Sequence, residues 1–239
     1  SQVYGGGGNA GALYTHDFVE LHNRSVGPVS LDGWSVQYAS PSGTTWSVTT
    51  LSGTIAPGGY YLVQLATGGA NGVALPAPDA VGLSNLSAQS GKIALVSSAA
   101  SLAGSCPTSG TIVDFVGYGS TSCFEGAAAA PTLSVSTAAR RLGPSCVDTA
   151  ENGDDFVALA PLPRSSAAPA AACPLGAPNE SGVAYEADAC SLVSPASLTL
   201  AAGSPSGGII GEVTEAGLTE APGQGAGVVA QVGFGPKTA

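Results

Sequence analysis

The chain has 239 residues, of which 44% are hydrophobic and only 9% charged, with a formal net charge of -10. That apolar fraction is enough to bury a full core in one large domain or two small ones, and it excludes a disordered chain. With six Lys and Arg in all, nucleic acid is excluded as a direct partner, because phosphate binding needs clustered cations to displace counterions.

The first stretch, "VYGGGGNAGALYTHDFVELHNRS", combines a glycine run with two histidines and two acids. Glycine loops that cradle phosphate aim the amides of a following helix, and no helix pattern follows here. The run reads instead as a flexible loop that exposes its backbone. In "THDFVELHN" the two-residue strand period puts Phe18, Glu20 and His22 on one face and Asp17, Val19 and Leu21 on the other. Glu20 and His22 can therefore meet, and His16 shares their parity. No Gly-x-Ser-x-Gly elbow supplies a nucleophile, and a fourth metal ligand is missing, so no catalytic residue is expected.

Next, "GWSVQY" alternates Trp34, Val36 and Tyr38 with Ser35 and Gln37, a strand that buries one side, with Trp34 expected deep between two sheets. "IAPGGYY" is a turn, in which Pro57 sets φ and the glycines permit positive φ. "GGYYLVQL", "GKIALVS" and "TIVDFVGYG" are poorer in polar residues and read as strands covered on both faces. Strand signals at this spacing, broken by Gly, Pro, Ser and Asn, predict an all-β sandwich or barrel.

"CVDTAENGDDF" gathers hard oxygen ligands, and Asp148, Asn152, Asp154 and Asp155 are weak calcium candidates. Their spacing departs from the EF-hand, and the favoured reading is a hairpin turn at Asn152 and Gly153 before the strand "DFVAL". From about Pro161 the composition turns to Pro, Ala and Ser in "PLPRSSAAPAAACPLGAPNESG", which is linker chemistry. Domain limits follow as 1–164 for the sandwich, 165–196 for the linker and 197–239 for a partial β-module. Ile209, Ile210, Val228, Val229 and Phe234 are that module's apolar interaction candidates, because its three strand-like runs are too few to cover their own faces.

Five cysteines lie among turn residues, which points to disulfides and an oxidising compartment. Cys106 and Cys123 flank "TIVDFVGYG" and form the first expected pair. Cys173 and Cys190 bracket the linker and form the second, which leaves Cys146 single or competing for a partner. No apolar run approaches the roughly 20 residues that cross a bilayer. Ser1 follows neither a charged nor an apolar leader pattern, as expected where a signal peptide has been removed.

Six stretches in order, "VYGGGGNAGALYTHDFVELHN", "VSLDGWSVQY", "IAPGGYYLVQ", "LSNLSAQSGKIALV", "IVDFVGYG" and "DTAENGDDF", give residues Gln2 to Arg164 a resemblance to the lamin-tail domain of bacterial secreted proteins. The resemblance implies an immunoglobulin-like β-sandwich that binds proteins and has no catalytic constellation. The segment "GEVTEAGLTEAPGQGAGVVAQVGFG" is similar to a β-rich module that follows such domains. The functional expectation is a secreted, non-enzymatic structural or adhesive protein without cofactor, whose partners are proteins, including other copies of itself in a surface assembly or filament. The alternative is the accessory binding part of a larger secreted hydrolase, such as a nuclease or phosphatase.

Overall fold

The computed structural model describes residues 1–173, 189–194 and 210–214. The chain divides into two compact units, Ser1–Asn179 and Glu180–Ala239. In the first unit the strands are β1 (Gln2–Tyr4), β2 (Phe18–His22), β3 (Val29–Ser30), β4 (Ser35–Ala39), β5 (Ser47–Thr50), β6 (Thr54–Ile55), β7 (Tyr60–Gln64), β8 (Ala80–Val81), β9 (Gly91–Val96), β10 (Ile112–Tyr118), β11 (Ala138–Arg141) and β12 (Phe156–Leu159). Two single helical turns, α1 (Leu142–Ser145) and α2 (Asn152–Asp155), lie between the last two strands.

One sheet has six strands in the order β12-β11-β1-β2-β7-β8 and the other has four in the order β10-β9-β4-β5. All pairings in them are antiparallel except β7 with β8. This is the immunoglobulin-like sandwich expected of an all-β chain.

The core between the sheets follows the two-residue period. Val3, Val19, Leu21, Tyr61, Val63 and Ala139 point inward from the six-stranded sheet and meet Val36, Ile93, Val116 and Tyr118 from the other. Strand β2 has the face assignment read from sequence, since Val19 and Leu21 join this core while Phe18 and Glu20 point away from it. Trp34 does pack against the central core but is only partly buried. The deeply buried indole is Trp46, 3% exposed, which sits on the opposite face of the four-stranded sheet.

Both sheets are also buried on their outer faces, which alternation in "GWSVQY" does not reveal. Ser35 and Gln37 are fully covered, because Ser35 donates to the Ser98 carbonyl and Gln37 exchanges bonds with Ala100 and Leu102 in the loop 97–111. Under that loop Trp46, Ala94, Val96, Phe115 and Cys123 form a second small core. A third, made by Tyr4, Phe18, Leu62 and Ala138, lies on the outer face of the six-stranded sheet.

The glycine run is a packed element and not an exposed loop. Gly5 through Gly8 are all buried, and a Cβ on Gly5 would strike the Ser87 carbonyl while one on Gly7 would strike the His16 backbone. Backbone approaches this close admit only hydrogen at Cα. The buried Asp17 carboxylate ties the loops together by accepting the Gly7 and Leu86 amides at 2.8 and 2.9 Å.

In the second unit, β13 (Ala189–Ser194) and β14 (Ile210–Thr214) form a two-stranded antiparallel ribbon. Cys190 and Ile210 fall on these strands, whereas Ile209, Val228, Val229 and Phe234 lie outside the described residues.

Candidate functional site

Cys106 and Cys123 are joined in a disulfide. The second bridge is Cys146 to Cys173, with Cα atoms 5.5 Å apart, and it corrects the expected pairing of Cys173 with Cys190. The reason is that residues 161–173 do not leave the sandwich. They run back along the outer face of the six-stranded sheet and deliver Cys173 to the turn that follows α1.

This strap is held residue by residue. The Gln2 amide donates to the Leu162 carbonyl at 2.6 Å and accepts the Leu162 amide at 3.0 Å. Arg164 pairs with the fully buried Glu20 at 2.7 Å, gives its backbone N–H to the same carboxylate at 2.6 Å, and lays its guanidinium 3.8 Å over the Tyr60 ring. Ser166 bonds both carboxylate oxygens of Asp79. The Ala171 amide donates to the Gly58 carbonyl at 2.8 Å. A segment read as linker from composition is thus part of the first unit.

Glu20 and His22, aligned on one face by the sequence, do not form a working pair. Glu20 is consumed by Arg164 and Gln2. His22 stacks on Tyr60 with ring centroids 4.6 Å apart, and its nitrogens face the carbonyls of Ser145, Gly58 and Ala171. His16 stays apart, beside the Thr15 hydroxyl. Among the described residues, the one close group of His, Cys and acidic ligand atoms is His22, Cys146 and Cys173, and its two sulfurs are bonded to each other.

The acidic segment has a different organisation from the expected hairpin turn. Asn152 and Gly153 open the helical turn α2, which leads straight into β12. Arg141, with its side chain 4% exposed, places its guanidinium among Asp114, Asp148 and Asp155 at 3.0 to 3.1 Å. Burial would raise the Asp148 carboxyl, but Arg141 and Arg24 outweigh it and hold that group below its ordinary value. Asp155 also accepts the Thr149 amide and hydroxyl. The Asn152 side chain is committed, accepting from the Gly117 and Glu125 amides and donating to the Phe115 carbonyl and the Glu125 carboxylate. Of the four calcium candidates, Asp154 is the exposed one. The positive charge that the carboxylates of Asp148 and Asp155 neutralise is therefore the guanidinium of Arg141.

A cleft of about 520 Å³ opens beside the Cys106–Cys123 bridge, between residues 106–110 and the start of β10. Ile112, Phe115 and Phe124 line it together with Glu125. Desolvation, with Asp114 and Asp148 nearby and Arg141 opposing them, pushes the Glu125 carboxyl up to about 7. Sequence reasoning missed Glu125, because "CFEGAAAA" carries no periodic signal and its surroundings come from segments far along the chain.

The family model described as Lamin Tail Domain matches residues 1–120. The chain belongs to the lamin tail domain family. Neither a curated protein nor a solved structure matches it. The lamin tail domain is a non-enzymatic, interaction-mediating sandwich, in keeping with side chains whose polar groups are committed to structural partners. The match takes in β1 through β10, while β11 and β12 complete the six-stranded sheet beyond it and the strap covers that sheet's outer face. Among the described residues no helix is long and apolar enough to cross a membrane.

Proposed function

We propose that this protein is a non-catalytic extracellular structural or adhesive subunit that associates with further copies of itself through its second unit. The observation that carries the reading is the ribbon of β13 and β14, two strands long in its described part. A two-stranded ribbon by itself is marginal in water, among the described residues no third strand pairs with this one, and a sheet edge is where another strand adds. Strand addition from a neighbouring copy satisfies both needs, and a head-to-tail contact of this kind repeats into a ring or filament. Two disulfides suit an oxidising exterior, where such assemblies work.

The test is sedimentation of the full chain beside a chain ending at residue 179. The full chain is expected to form oligomers that grow with concentration, and the truncated chain to remain a folded monomer. A full chain that stays monomeric at high concentration overturns the reading.

A further inference from the structure

The cleft beside the Cys106–Cys123 bridge is a built feature. The disulfide joins its two walls, and Asn152, fully buried, fixes the third by accepting the Glu125 amide at 3.1 Å and donating its own backbone N–H to the Glu125 carbonyl at 3.0 Å. Its volume of about 520 Å³ lies within the range of roughly 300–1,000 Å³ usual for ligand sites. Ile112, Phe115 and Phe124 supply apolar surface. Glu125 is the one ionisable group among the described residues that line it, and its carboxylate accepts a long 3.3 Å bond from the Asn152 side chain. The other acids nearby are already neutralised by Arg141.

A half-buried carboxylate that forms no ion pair among the described residues, set in an aromatic wall, is complementary to a group that is at once cationic and flat. We infer that the cleft receives the arginine side chain of a partner protein, its guanidinium against Glu125 and its methylene stem along Ile112, Phe115 and Phe124. Arginine fits better than lysine because a guanidinium stacks on aromatic rings, is more weakly hydrated and bonds a carboxylate through two N–H groups. Burial, joined by the like charges of Asp114 and Asp148, outweighs Arg141 and holds the Glu125 carboxyl up to about 7, and a bound guanidinium opposes that shift. The site lies wholly within the first unit, so it stands or falls independently of self-assembly.

The test is an amide-resolved NMR titration of the full chain at pH 8, using acetyl-Gly-Arg-Gly-amide and its citrulline counterpart, which keeps the shape and removes the charge. The arginine peptide is expected to shift the amides of 108–110 and of Phe124 and Glu125 in a saturable way, with the citrulline peptide weaker by roughly ten-fold. Glu125→Gln should abolish that preference while the chain stays folded, its thermal midpoint at pH 8 being no lower than that of the parent. Should that variant fold poorly, Phe124→Ala serves in its place and should weaken both peptides while keeping their order. Equal binding of the two peptides, shifts confined to other surfaces, or no shifts at all would overturn the inference.

Discussion

The strap 161–173 and the loop 97–111 cover the outer faces of the two sheets, and a disulfide fastens each, yet their chemistry is opposite. Beneath the strap the sheet offers Gln2, Glu20, Tyr60 and His22, and the strap answers with Arg164 and its own backbone. Beneath the loop lie Trp46, Val96 and Phe115, with one buried cation, Lys92. Among the described residues Lys92 has no carboxylate partner. Its ammonium donates to the Gly43 and Ser105 carbonyls at 2.8 and 2.7 Å and lies 5.6 Å over the Trp46 ring, and burial pulls it below its ordinary value. A polar cover is specified by its pairs, and an apolar one by its volume with a single charge to anchor the loop.

This contrast is broken most directly by removing one charge from each face. Glu20→Ala strands Arg164 and frees the Gln2 side chain, and breaking a buried pair in this way costs about 3–5 kcal/mol in urea unfolding. Lys92→Met keeps the stem in place and leaves two carbonyls bare, a smaller loss of about 1–3 kcal/mol. Equal losses would mean that the two covers are held alike.

Between those magnitudes falls the strap's own fastening. Replacing Cys146 and Cys173 together by Ser opens a loop of 27 residues and should cost about 3.5 kcal/mol. Hydrogen exchange should then rise at 161–173 and leave the loop 97–111 protected, and rapid exchange in both would show that the covers unfold as one.

The remaining effect is a drift with pH. Asp17 and Glu125 are both raised to about 7 by burial, so between about pH 4 and 7 the folded chain holds protons that the unfolded chain has released. These two groups therefore make stability fall as pH rises through that window and level off above it. Melting from pH 5 to 8 should show the decline, and the double variant Asp17→Asn with Glu125→Gln should flatten it. An unchanged slope would assign the drift to other groups.

Much of the inner core was legible because strand alternation is a local property. Val36 faces inward as alternation in its strand predicts, Val19 and Leu21 share the face their spacing gives them, and Pro57 with its glycines turns the chain ahead of β7. The covers were not legible. In "GWSVQY" the polar residues Ser35 and Gln37 read as solvent-facing, and only the arrival of 98–102 turns their hydrogen bonds inward.

Residue order by itself determined that this chain makes an all-β sandwich of the lamin tail type, because periodicity, turn residues and the family's stretches all act over a few neighbours. Only the tertiary structure decided that the glycine run is packed, that the Pro/Ala segment is a strap and that Cys173 meets Cys146. Those outcomes depend on which distant backbone arrives at a given face. Gln2 and Leu162 bond across 160 positions, a separation at which no local pattern carries information about the partner.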